Sequence, residues 1–176
     1  MLPVHFGVGH MLRRNLLKLF PAASIALPAA ALAGEANGTN ETAAQASSVG
    51  LRRVNPGGMR VSQQYSHATY VPAGTALLYI SGQVGVDEHG RVAAGFEAQV
   101  KQAWENLLAI LRSEGASASD LVHTTSYLVE GVSVEEFSNA RRAYLPNPPP
   151  GSTVIFVPRL ISPEFLFEIE AIAALR

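Results

Sequence analysis

Two glutamates, Glu168 and Glu170, have the residue type and the spacing for acid–base chemistry. They lie two residues apart in the apolar segment 165–174, which predicts a β-strand. Because successive side chains of a strand point to opposite faces, both carboxylates should lie on one face of the sheet. Two interpretations stay open: a solvated sheet face with Ile169 and Ala171 turned inward, or a cleft in which one glutamate orients water as a base.

The tripeptide Ser81-Gly82-Gln83 is a second candidate for ligand binding. It lies late in the β-rich segment 76–86, where a glycine allows close approach of the backbone. Small polar residues also commonly end strands. The tripeptide alone therefore does not indicate a function.

The histidines do not indicate a metal site. His67, His89 and His123 share no ligand spacing and are not grouped with carboxylates. The chain has no cysteine, which excludes disulfides, thiol nucleophiles and cysteine-based metal sites. No glycine-rich phosphate loop or nucleophile elbow occurs. We therefore expect no metal and no cofactor.

The elements that must position these residues predict an α+β domain. Apolar residues at helical spacing predict a first helix, which ends at Gly115. Ser133 and Glu136 form a capping box that begins a second helix, running to about Leu145. Both helices should pack on one face of a mixed sheet. The helical stripe comprises Phe96, Val100, Trp104, Leu107, Leu108 and Leu111, and strands are predicted within 52–62, 76–86, 121–129, 153–157 and 165–174.

The first 33 residues have the composition of an export signal. Arg13, Arg14 and Lys18 precede the apolar segment 19–33, and no acidic residue occurs before Glu35. The stretch around the two arginines resembles a twin-arginine export signal. This pattern predicts a protein that is exported, with a periplasmic location.

A membrane anchor is the alternative interpretation of this segment. The apolar stretch is shorter than the ~20 residues that span a bilayer and is interrupted by two prolines. We therefore expect cleavage after Ala33 and no stable membrane span, then a flexible spacer at 34–50 and a folded domain at 51–176. Whether Met1 or Met11 is the true start stays open.

Cleavage would make the protein more acidic. The whole chain has 13 basic and 14 acidic residues, and the predicted signal contains three of the basic ones. The mature chain would carry a formal charge of −4 from 10 basic and 14 acidic residues. This sign disfavours nucleic-acid binding, which needs a basic surface to neutralise phosphates.

Several motifs together resemble the RidA/YjgF family, also called endoribonuclease L-PSP, of imine and enamine deaminases. The resemblance covers residues 51–176. It implies a chorismate-mutase-like α+β fold that assembles as a homotrimer with a cleft between each pair of subunits. The motifs that carry it are Tyr65, Ser81-Gly82-Gln83, the helix through Trp104 to Leu111, Thr124-Thr125 and the stretch 168–173.

The resemblance also implies roles for individual residues. A glutamate on the family's last strand positions the hydrolytic water, and that position is Glu168. The cleft-lining tyrosine and serine fall on Tyr65 and Ser81, with Gly82 beside the serine. The family's Pro-Ala-Arg-Ser aligns with residues 150–153, which adds Ser152 and Thr153 to the predicted substrate-binding residues.

Ser152 replaces the arginine that binds the substrate carboxylate in the family's deaminases. An arginine binds a carboxylate through two parallel hydrogen bonds, which a serine cannot reproduce. Losing such a contact costs ~2–4 kcal/mol of transition-state binding, or about two to three orders of magnitude in rate. A 2-iminocarboxylate is therefore a poor candidate substrate.

Four further residues are secondary candidates for this cleft. His67 follows Tyr65 closely and is either a surface or core residue or a binding group, acid or base. Glu170 shares the face of Glu168. The family's helix asparagine aligns with Ser138 or Asn139, and Arg159 is either a displaced cation or a surface residue.

Three functions are compatible with the sequence. The first is hydrolysis of small imines or enamines that lack the carboxylate. The second is non-catalytic binding of a small ligand by a trimer in the cell envelope. The third, endoribonuclease activity, is disfavoured by the acidic charge and the export signal. The sequence decides neither the ligand nor whether the protein is an enzyme.

Overall fold

A computed structural model describes residues 49–176, so the predicted signal and almost all of the predicted spacer lie outside the described residues. Short 3₁₀ turns precede the fourth strand and follow the second helix. Within this described part, no helix has the length and apolar character needed to cross a membrane. In chain order the elements are β1 (Arg52–Val54), β2 (Ala68–Tyr70), β3 (Ala76–Val84), α1 (Phe96–Ser113), β4 (Leu121–Val129), α2 (Val134–Arg141), β5 (Gly151–Val157) and β6 (Phe167–Leu175).

The main sheet is mixed, as predicted. Its four strands have the order β3-β6-β4-β5; β6 is antiparallel to both neighbours and β4 is parallel to β5. The short strands β1 and β2 form a separate antiparallel pair. A bridge between Ser66 and Gly151 joins the segment before β2 to the start of β5.

Both helices pack on one face of this sheet, which confirms the α+β prediction. The ring of Phe167 on β6 contacts Phe96 of α1 and Phe137 of α2, with ring centroids 6.3 and 5.5 Å apart. Trp104 is fully buried, as predicted, and stacks on Tyr144. We call this side the covered face. It includes Phe167, Ile169, Ala171 and Ala173 of β6 and Thr124, Ser126 and Leu128 of β4, all of them buried.

The opposite side of the sheet, which we call the open face, carries most of the polar strand residues. Alternation along β6 places Glu168 and Glu170 on this face, while Ile169 and Ala171 are buried among the core residues. The two glutamates therefore share a face, as predicted. The open face also includes Ile172 of β6, Tyr79 and Ser81 of β3, His123, Thr125 and Tyr127 of β4, and Thr153 and Ile155 of β5.

The element boundaries show where the sequence pattern is weakest. β4 spans the predicted residues, and β1 ends at Val54, before the predicted interruption at Pro56-Gly57-Gly58. The second helix is α-helical only to Arg141 and continues as a 3₁₀ turn to Tyr144. β2 was not predicted, because three residues are too short to show a period.

Candidate functional site

The carboxylate of Glu168 lies directly against Gly82. The β3–β6 pairing has an irregularity between Ile80 and Gln83, and Ser81 and Gly82 lie within it. A Cβ atom built on Gly82 would lie 2.8 Å from the Glu168 carboxyl carbon and still closer to its Oε1. Any other residue at this position would displace the carboxylate. The structure thus brings together two of the predicted site residues, Gly82 and Glu168.

A second polar region lies beside this contact, in a concave part of the open face that we call the open-face trough. Its volume is ≈ 360 Å³, within the range of small-ligand sites. Glu170 and Ser81, both predicted site residues, line it together with His123. The complete lining comprises Tyr79, Ile80, Ser81, His123, Thr125, Glu170, Ala171 and Ile172.

One hydrogen bond orients Glu170 in the trough. The Tyr127 hydroxyl donates to Glu170 Oε1 at 3.1 Å. Desolvation and this bond both raise the pKa of Tyr127 above its ordinary value, so the phenol keeps its proton and remains a donor. Glu170 therefore has one oxygen engaged by the protein.

His123 enters the trough because its neighbour on β5 is a glycine. His123 pairs with Gly151, and a Cβ atom at residue 151 would lie 2.8 Å from His123 Nδ1. The ring leans toward β5, where Nε2 lies 3.3 Å from Thr153 Oγ1. The sequence pattern does not indicate His123 as a site residue, because only the register of β4 on β5 shows that a glycine lies beside the histidine.

The environment of Ser152 includes a cation that the sequence did not indicate. Ser152 Oγ lies 3.2 Å from Arg141 Nη1 and 3.2 Å from Thr124 Oγ1, which both donate to it. Arg141 also donates to the side chain and the carbonyl of Gln64, at 3.2 and 3.3 Å, and its guanidinium lies 4.5 Å from the ring centroid of Phe137. A charged residue on the polar second helix gives no sequence signal of burial.

Arg141 is a buried cation that donates hydrogen bonds to neutral groups. Its exposure is 3%. No ion pair between Arg141 and a carboxylate occurs in residues 49–176. Burial lowers the pKa of Arg141 to about 10, so it stays protonated at neutral pH. Neutral hydrogen-bond acceptors and an aromatic ring therefore stabilise this charge.

Tyr65 lies in a segment that is attached to the start of β5. The next residue, Ser66, donates its amide to Pro150 O at 2.9 Å and its hydroxyl to Pro149 O at 2.6 Å. His67 packs edge-on against Tyr65, with ring centroids 5.5 Å apart, and its Nε2 lies 2.9 Å from Arg60 O. Tyr65, His67 and Ser152 therefore belong to one region of the molecule.

The two remaining candidates lie at the surface. Asn139 is exposed, and its Oδ1 accepts a hydrogen bond from Arg142 Nη2 at 3.3 Å. Arg159 is exposed in the segment that follows β5. Neither takes part in the contacts that surround Ser152 or Glu168.

Glu168 and Ser152, two of the predicted site residues, do not meet within one chain. Glu168 lies on the open face, whereas Ser152 lies on the covered face, beside Thr124. β4 separates β6 from β5, which places the two strands roughly 10 Å apart. No group of three or more metal-ligating side chains is positioned to hold a metal within residues 49–176.

This fold and these motifs define a class of protein. The profile of the family described as endoribonuclease L-PSP matches residues 58–175. The chain therefore belongs to this family, the RidA/YjgF family that its motifs resemble.

Individual relatives agree with this assignment. The RutC family protein YjgH of Escherichia coli is 34% identical over 99 residues, which cover 55% of this chain and 74% of YjgH. The chain is also similar to a solved structure of a Rid family protein of unknown function, YyfB from Yersinia pestis, with a TM-score of 0.64, 32% identity and coverage of 71% of this chain and 98% of that one. RidA from the Antarctic bacterium Psychrobacter sp. gives a TM-score of 0.54 at 31% identity, covering 66% of this chain and 92% of that one.

Proposed function

We propose that this protein hydrolyses small imines or enamines in clefts between the subunits of a homotrimer. The observation that carries the proposal is the contact of Glu168 with Gly82, where the absence of a side chain leaves room for the carboxylate against the backbone of β3. Tyr65 and Ser152 lie away from this carboxylate in the same chain. A cleft between copies would let Glu168 of one copy face the Tyr65 region of another.

The chemistry needs one positioned base. Glu168 accepts a proton from water as the water oxygen attacks the carbon of the protonated imine, whose C–N π electrons move to nitrogen, which gives a neutral carbinolamine. Glu168 then returns its proton to the nitrogen, and ammonia leaves as the hydroxyl group gives up its proton and the carbon–oxygen double bond forms. An enamine enters the same sequence after it takes a proton on carbon to become an imine.

The surroundings of Ser152 support substrates other than 2-iminocarboxylates. Ser152 Oγ already accepts from Arg141 and Thr124, and the Arg141 guanidinium is engaged with Gln64. Binding a substrate carboxylate there would require these bonds to break. A neutral imine, or one anchored by another group, fits the proposal better.

The alternative is a non-catalytic trimer of the cell envelope that binds a small ligand in the same clefts. Exposed apolar residues support self-association in either case, because a monomer would leave them in water. They are Leu77 and Tyr79 on β3 and Val154, Ile155 and Phe156 on β5, at 38–72% exposure.

The oligomeric state tests both proposals. Light scattering should give a trimer, and a monomer would remove the intersubunit site from both. Export to the periplasm and absence of a cofactor are part of both, and cell fractionation tests the location.

Endoribonuclease activity, the activity in the family's description, is the least supported candidate. The four strands of the main sheet contain no lysine or arginine. Lysine and arginine are the side chains that neutralise the phosphates of a nucleic acid, so this sheet offers no basic surface to RNA.

The test is ammonia release from freshly generated imines and enamines, including the enamine 2-aminoacrylate, by the parent and by Glu168→Gln. We expect the variant to lose about 10²–10⁴-fold in rate while it keeps its fold, because it cannot accept the proton. Glu135→Gln, an exposed glutamate on α2, is the control and should keep full activity. If the parent releases no ammonia yet binds a ligand with an affinity that Glu168→Gln leaves unchanged, the binding alternative is favoured.

A second comparison tests the substrate class. Ser152→Arg alone would place a second guanidinium beside Arg141, so it should be combined with Arg141→Leu. We expect the double variant to gain activity toward 2-aminoacrylate relative to the parent. High activity of the parent on this substrate would contradict the proposal that it lacks a carboxylate anchor.

A further inference from the structure

The side-chain amide of Gln64, the residue before Tyr65, has a defined orientation. Arg141 Nε donates to Gln64 Oε1 at 3.2 Å, and Nη2 of the same guanidinium donates to the Gln64 carbonyl oxygen at 3.3 Å. A guanidinium carries only donors, so the amide must turn its oxygen and not its NH₂ group toward Arg141. The NH₂ group of Gln64 therefore lies on the side of the amide away from the guanidinium.

This NH₂ group is available to a ligand. Gln64 is half-buried, and no acceptor for its NH₂ group occurs within residues 49–176. The buried side-chain polar atoms without a partner in the same range are Trp104 Nε1 and Ser126 Oγ, so the NH₂ group of Gln64 is not among the atoms sealed in the core. It therefore reaches the surface, one residue before Tyr65 of the predicted cleft.

Ser152 carries a second uncharged donor beside the same guanidinium. Its Oγ accepts from Arg141 Nη1 and from Thr124 Oγ1, each at 3.2 Å. These bonds use both lone pairs of the hydroxyl oxygen, and Ser152 donates no hydrogen bond to another group within residues 49–176. Ser152 therefore offers an O–H donor, as Gln64 offers N–H donors.

Arg141 orients both groups but reaches no ligand itself. Its exposure is 3%, and the ring of Phe137 lies 4.5 Å from the guanidinium. What this region presents to a ligand are therefore the uncharged donors of Gln64 and Ser152. A carbonyl oxygen accepts two such hydrogen bonds, whereas a carboxylate is bound most strongly by direct, bidentate contact with a guanidinium. The region therefore favours an uncharged carbonyl group.

We infer that Gln64 and Ser152 bind an uncharged carbonyl group of the substrate, and that Arg141 is the positioning residue that orients both. The substrate class is an imine or enamine with an amide or ester in the place of the carboxylate of 2-aminoacrylate. Since this role concerns the same cleft, it rests on the proposed function, in which the Tyr65 region of one copy faces Glu168 of another. It adds to that cleft Gln64 and Arg141, which the sequence motifs did not indicate.

Two enamines, 2-aminoacrylamide and 2-aminoacrylate, separate recognition of charge from recognition of shape. They have nearly the same size, and only the second carries a carboxylate. Hydrolysis adds water, releases ammonia and converts them to pyruvamide and pyruvate, respectively. These products are stable, so their binding can be measured whether or not the protein turns over the enamines.

Ligand-observed NMR of the full 176-residue chain with pyruvamide and pyruvate measures the preference. We expect the parent to bind pyruvamide about tenfold more tightly, because the carboxylate of pyruvate gives up its hydration without direct contact with a cation. Gln64→Met keeps the length of the side chain and removes its NH₂ donors, so it should abolish this preference. Gln63→Met makes the same change at the exposed neighbour, and as the matched control it should keep the preference.

Arg141→Lys tests the positioning role. A lysine keeps the charge but lacks the planar fork that holds Gln64 and Ser152 at once. We expect the preference for pyruvamide to fall, and KM for 2-aminoacrylamide to rise with kcat nearly unchanged, because only binding of the carbonyl group is weakened. A merely structural role would lower the affinity for both products by the same factor, and that result would reject Arg141 as a positioning residue.

Equal affinity of the parent for both products, tighter binding of pyruvate, or an unchanged preference in Gln64→Met would each overturn the inference. If Gln64→Met does not fold, Gln64→Glu keeps an oxygen for Arg141 and has no NH₂ group. This variant should bind pyruvamide about tenfold more weakly than the parent, and unchanged affinity would overturn the inference equally.

The two proposals fail in different ways. A preference for pyruvamide that depends on Gln64, without ammonia release from any enamine or imine, would retain the carbonyl site and reject the hydrolysis. Ammonia release that depends on Glu168 and is equally fast from both enamines would retain the hydrolysis and reject the carbonyl site.

Discussion

The two faces of the main sheet use glycine in different ways. On the helix-covered side, Gly85 lies against the backbone of α1, and an added Cβ atom would lie 2.5 Å from Gln99 Cα. At the other glycine, Gly82, the added atom would meet the end of the Glu168 side chain. The first glycine allows a helix to pack on the sheet, and the second allows a carboxylate to take one position.

This difference separates stability from function. A helix backbone cannot move without disturbing the core, whereas a glutamate side chain can rotate to another rotamer. The same substitution should therefore affect folding at one position and chemistry at the other. Three predictions test that separation, and the first concerns Gly85.

Gly85→Ala should cost about 3 kcal/mol or more of unfolding free energy, because it overpacks the contact between the sheet and α1. Urea denaturation followed by circular dichroism measures this. Gly57→Ala is the matched control, since a Cβ atom there meets nothing within 4 Å, and it should change stability by less than about 1 kcal/mol. A loss at Gly85 no larger than at Gly57 would contradict the proposed packing role.

Gly82→Ala should instead leave stability nearly unchanged and reduce the rate of hydrolysis. We expect a loss of less than about 1 kcal/mol in stability, because only a side chain must move. Imine hydrolysis should fall about a hundredfold, since the displaced Glu168 no longer holds water in position. The measurements are ammonia release and urea denaturation of the same preparation. Full activity in a variant whose crystal structure shows a displaced carboxylate would exclude Glu168 as the base.

The smallest expected effect is a pH dependence of stability, which we compare at Tyr144, near the covered face, and at Tyr127, on the open face. Tyr144 stacks on buried Trp104, and burial together with a hydrogen bond to Glu105 raises its pKa from 10.0 to about 12. The folded state keeps the phenol proton of Tyr144 to a higher pH than the unfolded state does. The contribution of this residue to stability is therefore present below pH 10 and is lost as the pH rises toward 12. Tyr127 on the open face has its pKa raised by desolvation and Glu170.

Unfolding measurements at about pH 9 and pH 11 test this prediction. Tyr144→Phe should lose less stability than the parent between these two values, because phenylalanine has no proton to release. Tyr127→Phe provides the comparison on the open face. Equal losses in the parent and in Tyr144→Phe would show that the Tyr144 environment does not favour the neutral phenol.

The sequence predicted the covered face far better than the open face, and particular residues show why. The helical stripe through Trp104 predicted burial directly, because burial follows the period of the helix. The contact of Glu168 with Gly82 and that of His123 with Gly151 join strands that are distant in sequence. Such contacts depend on strand register and on the irregularity in β3, which no local pattern reports.

Arg141 was missed for a different reason. The second helix has only three buried residues, Phe137, Ala140 and Arg141 itself. A charged residue in such a helix is usually solvated. Its burial follows from tertiary contacts, namely the acceptors that Gln64 and Ser152 provide.

The position of β6 has a consequence for how the protein forms during synthesis. β6 lies between β3 and β4 in the sheet, yet its residues follow all the other strands along the chain; Ala76, for example, pairs with Leu175. While the ribosome is still adding residues, β3 and β4 have no strand between them, and the helices have no complete surface on which to pack. Pairings between residues so distant in sequence form slowly, and partly formed sheets expose strand edges. A nascent chain of this order therefore remains open to chaperones until its last strand emerges.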